Sequence, residues 1–165
     1  YNLIFAPHVM LYQRKLHIAP DSRRLGWVRR LPQRFLDCAH MLIDTDSLKC
    51  TDMTYTLAAD IYLGDASSQV WEFLLHPRPC LFADAHSTDW REDPNYLHWR
   101  NGPVFDDAGA LDESLKLAVD THPEYRPVQE ALFRDTFDIG GESSSSRGAR
   151  AILDYLDATV DRQKN

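Results

Sequence analysis

The residues with the most chemistry in them lie in the run Gly64-Asp65-Ala66-Ser67-Ser68, followed by Gln69-Val70-Trp71-Glu72. Two adjacent hydroxyls directly ahead of a helical pattern put Ser67 or Ser68 at a helix N-cap, where side-chain oxygens and unpaired backbone N–H groups point outward. Such a terminus suits phosphate. A capped helix with no ligand uses the same residues, and the sequence alone leaves both readings open. Asp65 is better placed to shape the turn by hydrogen-bonding its backbone than to act as a base, because an anion beside a diphosphate repels it.

Positioning that turn takes a helix, a strand, a second helix and a second strand. Thr51 to Ala58 carries a helical pattern, and Ile61 to Leu63 is a short apolar run of the kind that forms a strand buried on both faces. Gln69 to Leu74 returns to helical spacing, Pro77 and Pro79 close it, and Cys80-Leu81-Phe82 reads as the next strand. A strand, crossover and parallel strand in this order brings its loops together at the carboxyl edge of the sheet. Further strands are expected at Leu3 to Ala6, Met41 to Ile43, Cys80 to Ala83 and Val104 to Phe105. Between them, Leu11 to Ile18 reads as helix, Pro20 to Leu31 as an Arg-rich loop, and Pro32 to Ala39 as a helix with proline in its first turn. The alternation predicts an α/β fold with a doubly wound parallel sheet.

These elements carry a family resemblance. Ala59-Asp60, the strand Ile61-Tyr62-Leu63, Asp65-Ala66-Ser67-Ser68, Glu72 four residues after the second serine, and Arg78-Pro79-Cys80-Leu81-Phe82 together resemble the CDP-glycerol glycerophosphotransferase family. The resemblance spans roughly Leu3 to Phe105 and includes a histidine, His8, at the end of the first strand. It implies the Rossmann-like donor-binding half of a two-domain GT-B architecture, related in outline to UDP-sugar glycosyltransferases and UDP-N-acetylglucosamine 2-epimerases. Members make teichoic-acid-type polymers at the cell envelope. The implied reaction is attack of an acceptor hydroxyl on the phosphorus of CDP-glycerol with CMP leaving, a transfer governed by positioning and charge stabilisation. Ser67, Ser68 and their amides would bind the donor diphosphate, Glu72 the ribose, and His8 would donate a hydrogen bond to the diphosphate or protonate the leaving phosphate. On residues alone, His8 is equally a strand-end histidine bonded to a carbonyl, and Glu72 a solvated helix-face acid.

Two competing readings remain. A sugar nucleotide would use the same diphosphate cradle, which makes a glycosyltransferase the nearest alternative. The other is a non-catalytic, flavodoxin-like interaction module whose serine turn is only a cap. A receiver-type domain would need clustered acids at strand ends, which Asp44 and Asp65 supply poorly.

Residues 1–165 suffice for one domain and are too few for two full α/β domains. Beginning at Tyr1 immediately before a strand, the chain reads as a piece of a longer protein, with the N-terminal acceptor domain and any general base outside it. Little turnover is expected of it alone. Formal net charge is −7, which argues against a general nucleic-acid binder. The first 34 residues nevertheless hold seven basic groups against Asp21 alone, among them Arg23, Arg24, Arg29 and Arg30. That run is either a solvated face or a contact for a phosphate-rich donor, an anionic polymer or the inner face of a membrane. The expected compartment is the cytoplasm, because Cys38, Cys50 and Cys80 are odd in number, widely spaced and set in apolar surroundings, as buried reduced thiols are. No cofactor and no metal are expected, for no Cys-x-x-Cys pair is present and only His86 and Asp89 approach metal-ligand spacing.

The stretch from His86 to Asp107 is long, polar and aromatic, with Trp90, Tyr96 and Trp99. It reads either as a rim over the donor site or as a loop whose aromatics pack it onto the body. Ala110 to Val119 and Val128 to Phe133 read as helices, the second beginning after breaks at His122-Pro123 and Arg126-Pro127. Residues 141–165 form a C-terminal helical segment. After the turn Gly140 to Ser146, an amphipathic helix from Arg147 to Val160 offers Ile152, Leu153, Tyr155, Leu156 and Val160 for packing, with Ser145 or Ser146 as its cap.

Overall fold

A computed structural model of the chain describes residues 1–8, 10–13, 16–18, 25–27 and 30–163. Arg23, Arg24 and Arg29 of the basic run lie outside those residues, while Arg30 is exposed. The fold is α/β. Its parallel strands fall into two small sheets: β1 (Leu3–Phe5) pairs with β4 (Met41–Ile43), and β5 (Tyr62–Gly64), β6 (Cys80–Ala83) and β7 (Val104–Phe105) lie in that order in a three-stranded sheet. Every parallel strand expected from the sequence is present within one residue.

The first forty residues depart from expectation. Of the expected helix, Met10–Gln13 is helical (α1) among the described residues, and Leu16–Ile18 is a strand, β2, paired antiparallel with β3 (Leu25–Trp27) inside the expected Arg-rich loop. Strand pairing across a hairpin outweighs the weak local helix preference of Leu11 to Ile18, a contest that propensity alone does not decide. The next helix, α2, is a single turn, Gln33–Leu36, with Pro32 at its N-cap. In place of one helix from Thr51 there is a 3₁₀ turn at Leu48–Cys50, a left-handed residue at Met53 (φ 66°), and α3 at Thr54–Ala58.

Burial centres on β6. Leu81 and Phe82 are fully buried, and with Val70, Phe73, Leu74, Cys80 and Trp99 they make the apolar core. As the middle strand, β6 reads as a continuous apolar run. β5 is instead an edge strand: Tyr62 turns inward against Phe73 and Phe82, whereas Leu63 is 39% exposed, so the expectation of burial on both faces fails there. Gly102 lies so close to β6 that a Cβ would sit 2.1 Å from the Cys80 carbonyl oxygen. Its backbone is extended (φ −176°), so the need for glycine is purely one of space.

Arg78 organises the crossover between β5 and β6. Helix α4 (Gln69–Phe73) and α3 both end beside it, leaving unpaired carbonyls in their last turns. Its guanidinium donates to the carbonyls of Thr56 (2.9 Å), Leu57 (3.3 Å) and Ala59 in α3 and its C-cap, to Phe73 (2.8 Å) in α4, and to His76 (3.1 Å), and lies 3.9 Å over the Phe73 ring. A cation at two helix C-termini is favourable electrostatically as well.

Helix α5 (Leu111–Asp120) packs on β6, and α6 (His122–Thr136) on the 3₁₀ segment Pro94–Asn101. The expected break at Arg126-Pro127 does not occur. Pro123 occupies the first turn, where no N–H is required, and Pro127 forfeits one bond while the helix is held by the Arg126–Glu130 pair and by Gln129. Fully buried, Gln129 donates from Nε2 to the carbonyls of Arg78 (3.0 Å) and Asn101 (2.7 Å). Last, α7 runs from Ser144 to Gln163, longer than expected. Ser143, not Ser145 or Ser146, accepts the capping bond, from the Ser146 N–H at 3.2 Å. Ile152, Leu153, Tyr155 and Leu156 are 51–71% exposed, so the packing expected of them is not found among the described residues. No helix among the described residues is long and apolar enough to cross a membrane.

Two substitutions test this architecture. Arg78→Lys keeps the charge but cannot reach carbonyls on two helices at once, and is expected to cost about 2–3 kcal/mol of unfolding free energy in urea titration. Gly102→Ala drives a methyl into the β6 backbone and is expected to lower the thermal midpoint more than Gly109→Ala, whose Cβ would meet only a side chain, at 3.2 Å.

Candidate functional site

The carboxyl ends of β5, β6 and β7 open onto one edge, and each is followed by an aspartate: Asp65, Asp84 and Asp106. Ligands of open α/β sheets bind outside the carboxyl ends of their strands.

At the β5 exit, the Asp65–Ser68 turn is clamped from behind. The Asp65 carbonyl accepts from Trp99 Nε1 (2.9 Å) and from His98 Nε2 (3.0 Å). An acceptor there requires the His98 proton to be on Nε2. Of the two serines, Ser67 is the one spent on the helix, its hydroxyl accepting from the Gln69 N–H at 3.3 Å. Ser68 makes no capping bond and is exposed. The Asp65 side chain is exposed too, so the shaping of this turn is done by its carbonyl rather than its carboxylate. Burial pushes the Tyr62 hydroxyl up to about 12, with the neighbouring Ser67 side chain acting in the opposite direction. Glu72 is half-buried in α4. His8 is exposed and follows β1, on the two-stranded sheet rather than the one that carries Asp65 to Ser68; its carbonyl accepts from the Leu11 N–H.

The β6 exit carries a feature that sequence reasoning missed. Buried Asp84 accepts from the His86 N–H (3.0 Å), the Thr88 N–H (2.8 Å) and the Thr88 hydroxyl (3.2 Å). Ser87 between them takes a left-handed conformation (φ 53°), which lets the chain double back so that both amides reach one carboxylate. Although burial raises the Asp84 pKa, the bonds from His86 and Thr88 outweigh it and leave the carboxyl below its usual range. The loop so formed lines a cleft of about 300 Å³ together with Trp90, Arg91, Val104 and Phe105 of β7, and Asp106. Arg91 lies 4.9 Å over the Trp90 ring, and Trp90 meets Trp99 edge-on at 5.8 Å. Cleft and serine turn are therefore linked through the Trp90–Trp99 pair. The sequence signal was an aspartate at the end of the most apolar strand, four residues before a threonine.

The aromatic stretch resolves in favour of packing. Trp99 and His98 are buried in the 3₁₀ segment, Tyr96 sits 4.6 Å from Trp99, and Trp90 lines the cleft.

No family model, curated protein or solved structure matches this chain.

At the β4 exit, Asp44 accepts from the Ser47 hydroxyl, the Tyr55 hydroxyl (2.6 Å) and the Ser47 N–H (3.0 Å). Those bonds, the Ser47 hydroxyl first, hold its carboxyl far below the usual range and raise Tyr55 in return. So strongly stabilised an anion is a poor base. Cys38, Cys50 and Cys80 are free thiols, though Cys38 is only half-buried, and burial pushes Cys80 up to about 12. No group of three or more His, Cys, Asp or Glu among the described residues could hold a metal ion.

Asp44 and Asp84 both titrate lower in the folded chain than the ordinary aspartate value of about 3.9 in an unfolded one. Their stabilisation is complete above that value and is lost as pH falls through the folded pKa values. Thermal melts at stepped pH should therefore show the midpoint dropping below about pH 4. Asp84→Asn should be less stable at pH 7 and flatten that acid limb.

Proposed function

We propose that this chain is the Rossmann-like donor-binding domain of a transferase that moves glycerol phosphate from CDP-glycerol to an acceptor hydroxyl in cell-surface polymer synthesis. The observation that carries the reading is the Asp65–Ser68 turn, held rigidly at the carboxyl edge of a parallel sheet with the Ser68 hydroxyl not committed to the helix it precedes. A rigid turn presents donors to a diphosphate without paying to order them on binding. Helix α4 has only five residues, so its dipole contributes little and the affinity rests on hydroxyls and amides. In this reading Ser67 and Ser68 bind the diphosphate, Asp65 shapes their turn, Glu72 accepts from the ribose, and His8 protonates the leaving phosphate. Catalysis would then need an acceptor domain supplied from outside these 165 residues, and a doubly wound sheet would unite the two parallel sheets.

Glycosyl transfer from a sugar nucleotide is the second reading, favoured by the indole, arginine and carboxylate around the β6–β7 cleft.

Calorimetric titration with CDP-glycerol, CMP, UDP and a UDP-sugar separates the two. Saturable, cytidine-preferring binding is expected, weakened about tenfold by Ser67→Ala/Ser68→Ala through loss of hydrogen bonds to a charged group. His8→Ala should weaken CDP-glycerol more than the free nucleotides. Uridine preference would replace glycerol phosphate by a sugar as the transferred group. Absence of binding by all four at millimolar concentration would overturn the donor-domain proposal.

A further inference from the structure

The cleft between the β6 and β7 exits has no role in holding a diphosphate, and its chemistry argues for a different occupant. Its volume of about 300 Å³ is at the small end of ligand sites, room for one ring or a short polyol but not for a nucleotide. Asp84 is already committed to three internal hydrogen bonds, so it is a brace for the loop and not a ligand contact. The groups left in the lining are the Ser87 hydroxyl, the Asp106 carboxylate, the Arg91 guanidinium and the Trp90 indole. With two carboxylates and one guanidinium, the lining is net negative, which disfavours a bare phosphate. A neutral polyhydroxyl group fits this set, because its hydroxyls donate to a carboxylate and accept from a guanidinium.

We propose that the β6–β7 cleft binds an uncharged polyhydroxylated group, a sugar ring or a polyol, with Asp106 and Arg91 taking its hydroxyls beside Trp90. The braced Asp84–Thr88 loop holds the wall in place before any ligand arrives. Taken with the donor-domain reading, on which this extension rests, the cleft holds the glycerol or sugar end of the donor while the Ser67–Ser68 turn holds the phosphates. Trp90 against Trp99, and Trp99 on the Asp65 carbonyl, fix the separation of the two subsites.

The test is a titration of the whole chain, followed by calorimetry and by the indole N–H resonance of Trp90, with CMP, UMP, CDP-glycerol, UDP-glucose, free glycerol and free glucose, repeated for Asp106→Asn and Arg91→Ala. Expected are binding of CDP-glycerol or UDP-glucose weakened about tenfold in each variant, unchanged binding of CMP and UMP, and a Trp90 shift only with ligands that carry the polyhydroxyl group. Nucleotide-linked donors that bind wild type and both variants alike would overturn the cleft assignment and leave the donor domain standing. Should no nucleotide bind, the donor-domain reading falls. The cleft is then judged by free glucose and glycerol: a saturable Trp90 shift lost in Asp106→Asn upholds it, and no shift overturns it.

Discussion

One side chain, Arg78, holds the working half of this molecule together. A short crossover between parallel strands creates a local problem: two helices of five residues each end at Arg78, α4 at buried Phe73 and α3 at exposed Leu57 and Ala58, and each leaves carbonyls with no partner in its own last turn. At the buried α4 end it must be solved without water. The guanidinium does so by spreading its donors over both helices while its plane lies on Phe73. Its own carbonyl is in turn taken by Gln129, which also holds Asn101. Three segments distant in sequence are thus fixed by a planar cation and an amide, and neither could be exchanged for an apolar residue of similar size without leaving buried carbonyls unpaired.

The consequence at the sheet edge is that the loops where a ligand would meet the protein are tied down by hydrogen bonds. Backbone bonds from the β6–β7 ladder, Asp84 N–H to the Phe105 carbonyl among them, carry the core's order out to the loops. The loops then organise themselves: Asp84 gathers its own amides, and the Asp65 turn is gripped from outside by Trp99 and His98. Binding surfaces made this way lose little conformational entropy when filled.

Much of this was legible in the residues, but unevenly. Each parallel strand announced itself as a short apolar run, because burial against helices on one face or both demands it. The Ser67 cap followed from the position of a hydroxyl before a helical period. What local pattern could not supply were effects settled at long range. The β2–β3 hairpin depends on pairing that helix propensity opposes; Arg78 acts across more than twenty residues; Gln129 works through carbonyls, which every residue has and no sequence advertises. The helix through Pro127 survived for a similar reason, since buried Gln129 ties it to the carbonyls of Arg78 and Asn101. The β6–β7 cleft was the largest omission. Its ingredients, an aspartate, a threonine four residues on and a residue able to adopt positive φ between them, gain meaning only when the chain is seen to double back.

The double grip on the Asp65 carbonyl has a further implication for polarity. A carbonyl oxygen has two lone pairs, and here one is taken by an indole and the other by an imidazole. That one carbonyl has no lone pair left for a ligand. A cation seeking oxygen ligands would find the carbonyl already saturated, whereas an anion would still meet hydroxyls beyond it. Two ring nitrogens on the inner side of the chain thereby leave its outer side to the Asp65 carboxylate and the serine hydroxyls.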